Sequence, residues 1–169
     1  MFDPVIFREY DIRGVYEKQF DLDFGYDLGR AFATKIMHTY PKATAVSVGH
    51  DARISGPSIS KKIIEGITDC GLDVYFLGLV TSPILYFSTF TISSLSGGIM
   101  VTGSHNPPDY NGFKLSVGTS TIFGQSILDL KEIIENNLYF KSNKKGSVIN
   151  HDIFPAYLSR YKEEFKNIN

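Results

Sequence analysis

The sequence predicts an α/β domain, a sheet carrying helices on both of its faces. Short apolar runs bounded by turn residues alternate with stretches in which apolar residues recur every three or four positions. The 169 residues suit one globular domain rather than two. A composition of 43% hydrophobic and 21% charged residues supplies one core. It excludes a disordered chain, a collagen-like chain and a small disulfide scaffold.

The elements follow in order. Ile6 to Tyr16 reads as an extended segment carrying an exposed loop. Between Asp21 and Tyr40, Phe24, Leu28, Phe32 and Ile36 recur every four residues, with Ala31 beside them. That spacing predicts an amphipathic helix capped by Asp21 or Asp23. Ala43 to Gly49 suits a buried strand. Pro57 opens a second helix with Ile59, Ile63, Ile64 and Ile67 on its inner face, and Gly71 stops it. Asp73 to Leu79 reads as a strand, Thr81-Ser82-Pro83 starts a helix to about Thr89, and Gly97 to Val101 reads as a third buried strand. Asn111-Gly112 predicts a tight turn into an antiparallel edge strand, Phe113 to Val117. Ile127, Leu130, Ile134 and Leu138 mark a further helix, followed by a polar turn at Ser142 to Gly146. From Asp152 to Asn169, Tyr157, Leu158, Tyr161 and Phe165 line one side of a last helix. A complete α/β domain over residues 1–150 leaves that helix little to pack on, so 151–169 reads as a connector toward a domain outside this chain.

Charge and cysteine content narrow the function. The balance of 17 Lys+Arg against 18 Asp+Glu gives a net charge of −1, with no basic field for nucleic acid. Cys70 stands alone, so neither an internal disulfide nor a cysteine zinc site is available. Histidines 38, 50, 105 and 151 lie far apart. No signal peptide and no apolar run of membrane-spanning length is present, so the expectation is a cytoplasmic protein with no membrane partner. P-loop and dinucleotide fingerprints are absent, and Ser104 does not sit in G-x-S-x-G.

The chemistry concentrates at Thr102-Gly103-Ser104-His105-Asn106-Pro107-Pro108, directly after a predicted strand. Ligands of open α/β sheets sit beyond the carboxyl ends of strands. Glycine lets a ligand approach the serine, His105 brings the side-chain type suited to proton transfer, and Pro107 holds Asn106 out of helical geometry. The alternative is an ordinary turn, built from the usual turn residues. Lys114 reads either as a phosphate or proton contact or as a solvated edge-strand lysine. Arg8, Tyr10 and Arg13 beside Gly14 read as an anion site, or else Arg8, Glu9, Asp11 and Arg13 pair among themselves. In Gly49 to Ser55, Asp51 pairing with Arg53 to fix the loop is favoured over an anion site at the following helix N-terminus.

Taken together, these segments resemble the first domain of the α-D-phosphohexomutases, the phosphomannomutase/phosphoglucomutase family. TGSHNPPDYNGFK, residues 102–114, is similar to that family's phosphoserine loop. FREYDIRG at 7–14 resembles its opening motif, GHDARISGP at 49–57 its G-[RH]-D-x-R-x-S segment, and FPAYLSRY at 154–161 the linker helix into the second domain. The resemblance spans nearly the whole chain. It implies a three-layer α/β/α domain with a mixed, mostly parallel sheet, one of four domains around a cleft.

It also implies an activity, the interconversion of 1-phospho and 6-phospho hexoses through a phosphoserine and a hexose 1,6-bisphosphate. Ser104 would carry the phosphoryl group and give Mg²⁺ one phosphate oxygen. His105 and Lys114 would be the acid/base candidates, and Tyr10 and Arg13 would hold phosphate. His50 stands where arginine is most common and receives no role. The family's Asp-Gly-Asp-x-Asp metal loop and its sugar-reading and terminal phosphate-binding loops are absent from these residues. The chain is therefore expected to be the N-terminal domain of a mannose or glucose phosphate mutase, an expressed fragment or a truncated gene product, inactive without the remaining mutase domains. A phosphoglucosamine mutase, a non-catalytic module keeping the fold, and a serine hydrolase built on Ser104 and His105 are the alternatives. The hydrolase is disfavoured because no orienting acid is evident.

Overall fold

Asp21 caps the first long helix. Its carboxylate accepts a 2.9 Å hydrogen bond from the Phe24 backbone N–H, and Phe24, Leu28, Ala31, Phe32 and Ile36 of α1 (Leu22–Thr39) are all buried. The remaining segments form in the predicted alternation. The computed structural model describes residues 2–166. Its strands are β1 (Ile12–Val15), β2 (Ala45–His50), β3 (Asp73–Leu79), β4 (Leu95–Val101), β5 (Tyr110–Val117), β6 (Ser120–Thr121) and β7 (Val148–Asn150). Helices α2 (Gly56–Asp69), α3 (Ser82–Thr91), α4 (Gln125–Glu135) and α5 (Phe154–Glu164) and a 3-10 turn, Pro4–Ile6, complete the described elements. Gly71, at φ +89°, ends the turn after α2 in a conformation that side chains resist.

One sheet runs in the order β1-β5-β4-β2-β3-β7, with β6 beside β5. β2 is parallel to β3 and β4, and β3 to β7, whereas β5 is antiparallel to β1, β4 and β6. Only β5 therefore runs against the rest, and the sheet is mixed and mostly parallel. The carboxyl ends of β1, β2, β3 and β4 share one edge. The larger core joins the sheet to α1, α2 and α4. A smaller one, containing Leu77, Val80, Ile84, Leu85, Met100 and Ile153, lies under α3 on the opposite face.

Three expectations need correction. Asn111 and Gly112 do not form a turn, and β5 is no edge strand. Both residues lie inside β5, opposite Gly14 and Arg13 of β1, while 113–117 pair with β4. The chain reverses earlier, where the Tyr110 N–H donates to the Pro107 carbonyl at 3.0 Å. Neither residue takes the positive φ that makes Asn-Gly a hairpin turn. Leu138 lies beyond α4 and is exposed, because Asn137 leaves the helix at φ +53°. β7 has no counterpart in the sequence pattern; its three side chains are all exposed, so it carries no alternation to read. In the tail, α5 has no buried residue, and Tyr157 rests on the Phe87 ring at 5.3 Å. The last three residues of the expected tail helix, 167–169, lie outside the described residues.

The tightest helix contact is between α1 and α2. A Cβ at Gly66 would collide with the Tyr26 carbonyl, and one at Gly29 with the Ile63 carbonyl. Gly66→Ala should therefore cost about 1–3 kcal/mol, the usual range for overpacking. Gly25→Ala, whose Cβ would meet only ordinary contacts from 3.5 Å outward, should leave stability unchanged or slightly higher. Urea melts of the two variants check the contrast.

Candidate active site

Strand alternation aims two cations at one face. Phe113 is buried against Phe20 and Phe24, with ring centroids at 5.4 Å and 5.9 Å, so its neighbour Lys114 must point to the other side. Ile12 is likewise buried, which turns Arg13 the same way. Arg13 lies opposite Gly112 and Lys114 opposite Met100. The two side chains remain 31% and 30% exposed on the face that α3 covers over β2 and β4. Asp11, just before β1, sits between them: its Oδ1 is 3.3 Å from Arg13 Nε and its Oδ2 is 4.0 Å from Lys114 Nζ.

The loop between β4 and β5 starts beside them, where the Thr102 N–H donates to the Gly112 carbonyl at 2.9 Å. Arg53, from the loop between β2 and α2, reaches across and organises it. Its Nη1 donates to the carbonyls of Pro107 at 2.6 Å and Tyr110 at 2.8 Å, and its Nη2 to those of Ser104 at 3.1 Å and Asn106 at 2.7 Å. Its Nε faces Asp51 Oδ2 at 3.4 Å. That same carboxylate oxygen accepts from Thr102 Oγ1 at 2.7 Å and from the Gly103 N–H at 3.3 Å. The Thr102 hydroxyl in turn accepts from the Ser104 N–H at 2.9 Å. Arg53 lies so close over Gly103 that any Cβ there would overlap its guanidinium. The glycine beside the serine is thus approached by an arginine of the same chain rather than by a ligand.

The result is an exposed Ser104 in the left-handed region, at φ +50°. A side-chain-bearing residue is uncommon there and costs about 1–3 kcal/mol, which the surrounding bonds must offset. The side chain stands at the edge of a hollow of about 890 Å³ lined by Tyr16, Asp51, Arg53, Ser55 and Asp109 among others.

The expected site residues divide. Arg13 and Lys114 share one face of β1 and β5, on either side of Asp11, and Ser104 lies on the loop that follows β4. His105 is exposed on the serine loop, next to Ser104. Tyr10 stands apart: it is 72% exposed and leans on Phe123 at a centroid distance of 6.4 Å, near the β6–α4 connection. The favoured Asp51–Arg53 pairing is present, but its reach to four carbonyls more than fifty residues away is not legible in the sequence. His50 Nδ1 contacts the neighbouring Asp51 carbonyl at 2.8 Å. Asn111, fully buried, is a second residue that sequence reasoning misses; its amide donates to Ser55 Oγ at 2.9 Å and ties β5 to the Arg53 loop. Thr102, adjacent to the serine, is the available signal for the hydroxyl that holds its backbone.

For a metal the chain offers little. Among the described residues no group of three or more His, Cys, Asp or Glu side chains is placed to hold an ion. Asp51 is committed to Thr102, Gly103 and Arg53. These residues alone do not fit a Mg²⁺ site. No described helix is long and apolar enough to cross a membrane.

The comparisons with known proteins agree with this fold. Residues 4–139 match the family model for phosphoglucomutase/phosphomannomutase, alpha/beta/alpha domain I. The chain is 44% identical over 154 residues to a phosphoglucomutase of Neisseria gonorrhoeae, covering 90% of this chain and 32% of that protein. It is 40% identical over 159 residues to a phosphomannomutase/phosphoglucomutase of Pseudomonas aeruginosa, covering 94% and 33%. A solved phosphoglucomutase/phosphomannomutase family protein from Burkholderia thailandensis superposes with a TM-score of 0.90 at 34% identity, over 97% of this chain and 36% of that one. The chain thus spans about a third of the length of the curated relatives it matches.

Arg53→Lys keeps the charge but loses the planar fork that serves several carbonyls at once. It should cost about 1.5–3 kcal/mol, the range for hydrogen bonds to a charged group. Amide exchange at Gly103 and Asn106, whose N–H groups are bonded within this network, should accelerate well before that of the central strands.

Proposed function

Since the chain belongs to the phosphoglucomutase/phosphomannomutase family through its α/β/α domain I, we propose that it is the phosphoryl-carrying domain of an α-D-phosphohexomutase. The observation that carries this reading is Ser104 itself. It is exposed, held in left-handed backbone by Thr102, Asp51 and Arg53, and borders a face bearing Arg13 and Lys114.

In the proposed cycle, phospho-Ser104 gives its phosphoryl group to the free hydroxyl of a hexose 1- or 6-phosphate. The O–P bond to serine breaks, one to the sugar forms, and a hexose 1,6-bisphosphate results. The serine then takes back the other phosphoryl group and releases the isomer. Such transfers are dominated by positioning and by cations that meet the charge on the equatorial oxygens. Lys114 and Arg13 supply that charge in this chain. His105 and Lys114 are the proton carriers: one receives the proton of the attacking hydroxyl, and the other protonates the serine oxygen as it leaves. The anchored loop keeps Ser104 at one position for both transfers.

Mg²⁺ belongs to this reading as a neutraliser of the phosphoserine, which carries about −1.5 to −2 charge. Ser104 phosphate would be this chain's ligand to it, with the others outside these residues. A cytoplasmic mutase acting on mannose or glucose phosphates, together with the remaining mutase domains, completes the proposal. Alone, the 169 residues should give no turnover in a coupled mutase assay.

The test is made with the remaining mutase domains present. Incubation with phosphorus-labelled glucose 1,6-bisphosphate should place one phosphate on Ser104, and Ser104→Ala should abolish both label and turnover. Label on another residue contradicts the reading. Lys114→Ala and His105→Ala should each lower kcat by about 10²–10⁴-fold, with much smaller effects on KM.

A further inference from the structure

The three cationic side chains around Ser104 and its sheet face are held in two different ways. Arg53 has all three nitrogens engaged, by four carbonyls and one carboxylate, and its side chain is only 13% exposed. Arg13 and Lys114 share a single carboxylate at 3.3 Å and 4.0 Å, neither a short contact. Arg13 Nε is buried and makes no hydrogen bond at all. The Asp11 carboxylate beside that donor is too poorly aligned for a hydrogen bond, so the guanidinium is open to a better-placed acceptor. The acceptor that fits a guanidinium and an ammonium side by side is a phosphate monoester dianion.

Asp11 already stands where such an anion would compete. Its side chain is 17% exposed, and its backbone is fixed, since the Asp11 carbonyl accepts from the Arg8 N–H at 3.0 Å. Two cations and one carboxylate leave a net single positive charge to meet a dianion. We infer that Asp11 is a built-in competitor that keeps the Arg13–Lys114 phosphate site weak and therefore exchangeable. The inference rests on the mutase reading, in which a phosphate ester must bind, give way and leave in every cycle. A site with both cations uncompensated would bind the ester more tightly and release it more slowly.

The test measures binding rather than turnover. All chains carry Ser104→Ala, so that no covalent phosphate occupies the site, and inorganic phosphate and glucose 1-phosphate are titrated against the full 169-residue chain by NMR. Asp11→Asn should tighten both ligands at least about fivefold, the scale of one charge contact at 4 Å under full water screening. Asp11→Glu should restore weak binding. Adding Lys114→Ala or Arg13→Ala to Asp11→Asn should erase the gain. Should the Asn variant fail to fold by circular dichroism, Asp11→Ser removes the same charge and is expected to give the same tightening.

Unchanged or weaker binding in Asp11→Asn overturns the inference. So does a gain that survives loss of both cations, and so does the absence of phosphate binding by any variant at millimolar ligand. The outcome is separable from that of the mutase reading. If Ser104 of the complete enzyme takes no label while Asp11→Asn still tightens phosphate, the mutase reading falls and the competitor role stands. If Ser104 takes the label while Asp11→Asn leaves phosphate binding unchanged, the competitor role falls and the mutase reading stands.

Discussion

Arg53 is the interaction on which the rest of the site depends. A guanidinium can serve a fan of acceptors that no other side chain matches, and here it gathers the carbonyls of residues 104, 106, 107 and 110 around one side chain. Each bond imposes a condition elsewhere. Its closeness to Gly103 requires glycine at that position. Its charge requires a counter-ion, which Asp51 provides at 3.4 Å while also taking the Thr102 hydroxyl. Its own backbone is tied down as well, for its N–H donates to Asp51 Oδ1 at 3.0 Å and its carbonyl accepts from Gly56 at the start of α2. The loop is therefore an extension of the β2–α2 corner rather than a free excursion between two strands.

This arrangement separates structural charge from functional charge. Arg53 and Asp51 spend their hydrogen-bonding capacity inside the protein, so neither is free to follow a ligand. Arg13 and Lys114 are aimed by strand alternation, with buried Ile12 and Phe113 as their neighbours, and they retain donors that nothing else in the described chain uses. The positive φ of Ser104 belongs to the same division, since the frame bears the backbone cost and the exposed side chain receives the benefit.

Much of this is legible in the sequence, for identifiable reasons. Helix periods such as Phe24–Leu28–Phe32–Ile36 and buried runs such as Ala45–Gly49 report burial directly, and burial is what their spacing encodes. Ser104, Lys114 and Arg13 stand in recognisable segments, and the last two share one face of the sheet. What local patterns do not reveal is which of them the tertiary structure keeps. Asn111-Gly112 carries turn chemistry, yet β1 pairs with it directly and β4 with the residues that follow, which draws it into β5. β7 exists because β3 offers an edge, not because Val148–Asn150 has a pattern. Tyr10 shares a segment with Arg13, but it precedes β1 and escapes the alternation that directs the arginine. The span of Arg53 across more than fifty residues leaves no periodic trace; only the coincidence of Asp-x-Arg with a Gly-Ser loop hints at it.

The central claim is that Arg53 fixes Ser104 in the geometry that accepts a phosphoryl group. It is tested most directly by the rate at which Ser104 takes phosphate from a hexose 1,6-bisphosphate in the Arg53→Lys enzyme, with the remaining mutase domains present and at a temperature where wild type and variant are equally folded. The account predicts a rate at least about tenfold lower, corresponding to a rise in barrier of about 1.4 kcal/mol, with the phosphate still found only on Ser104. Equal rates in the two proteins would contradict it, because the loop would then present its serine without the arginine.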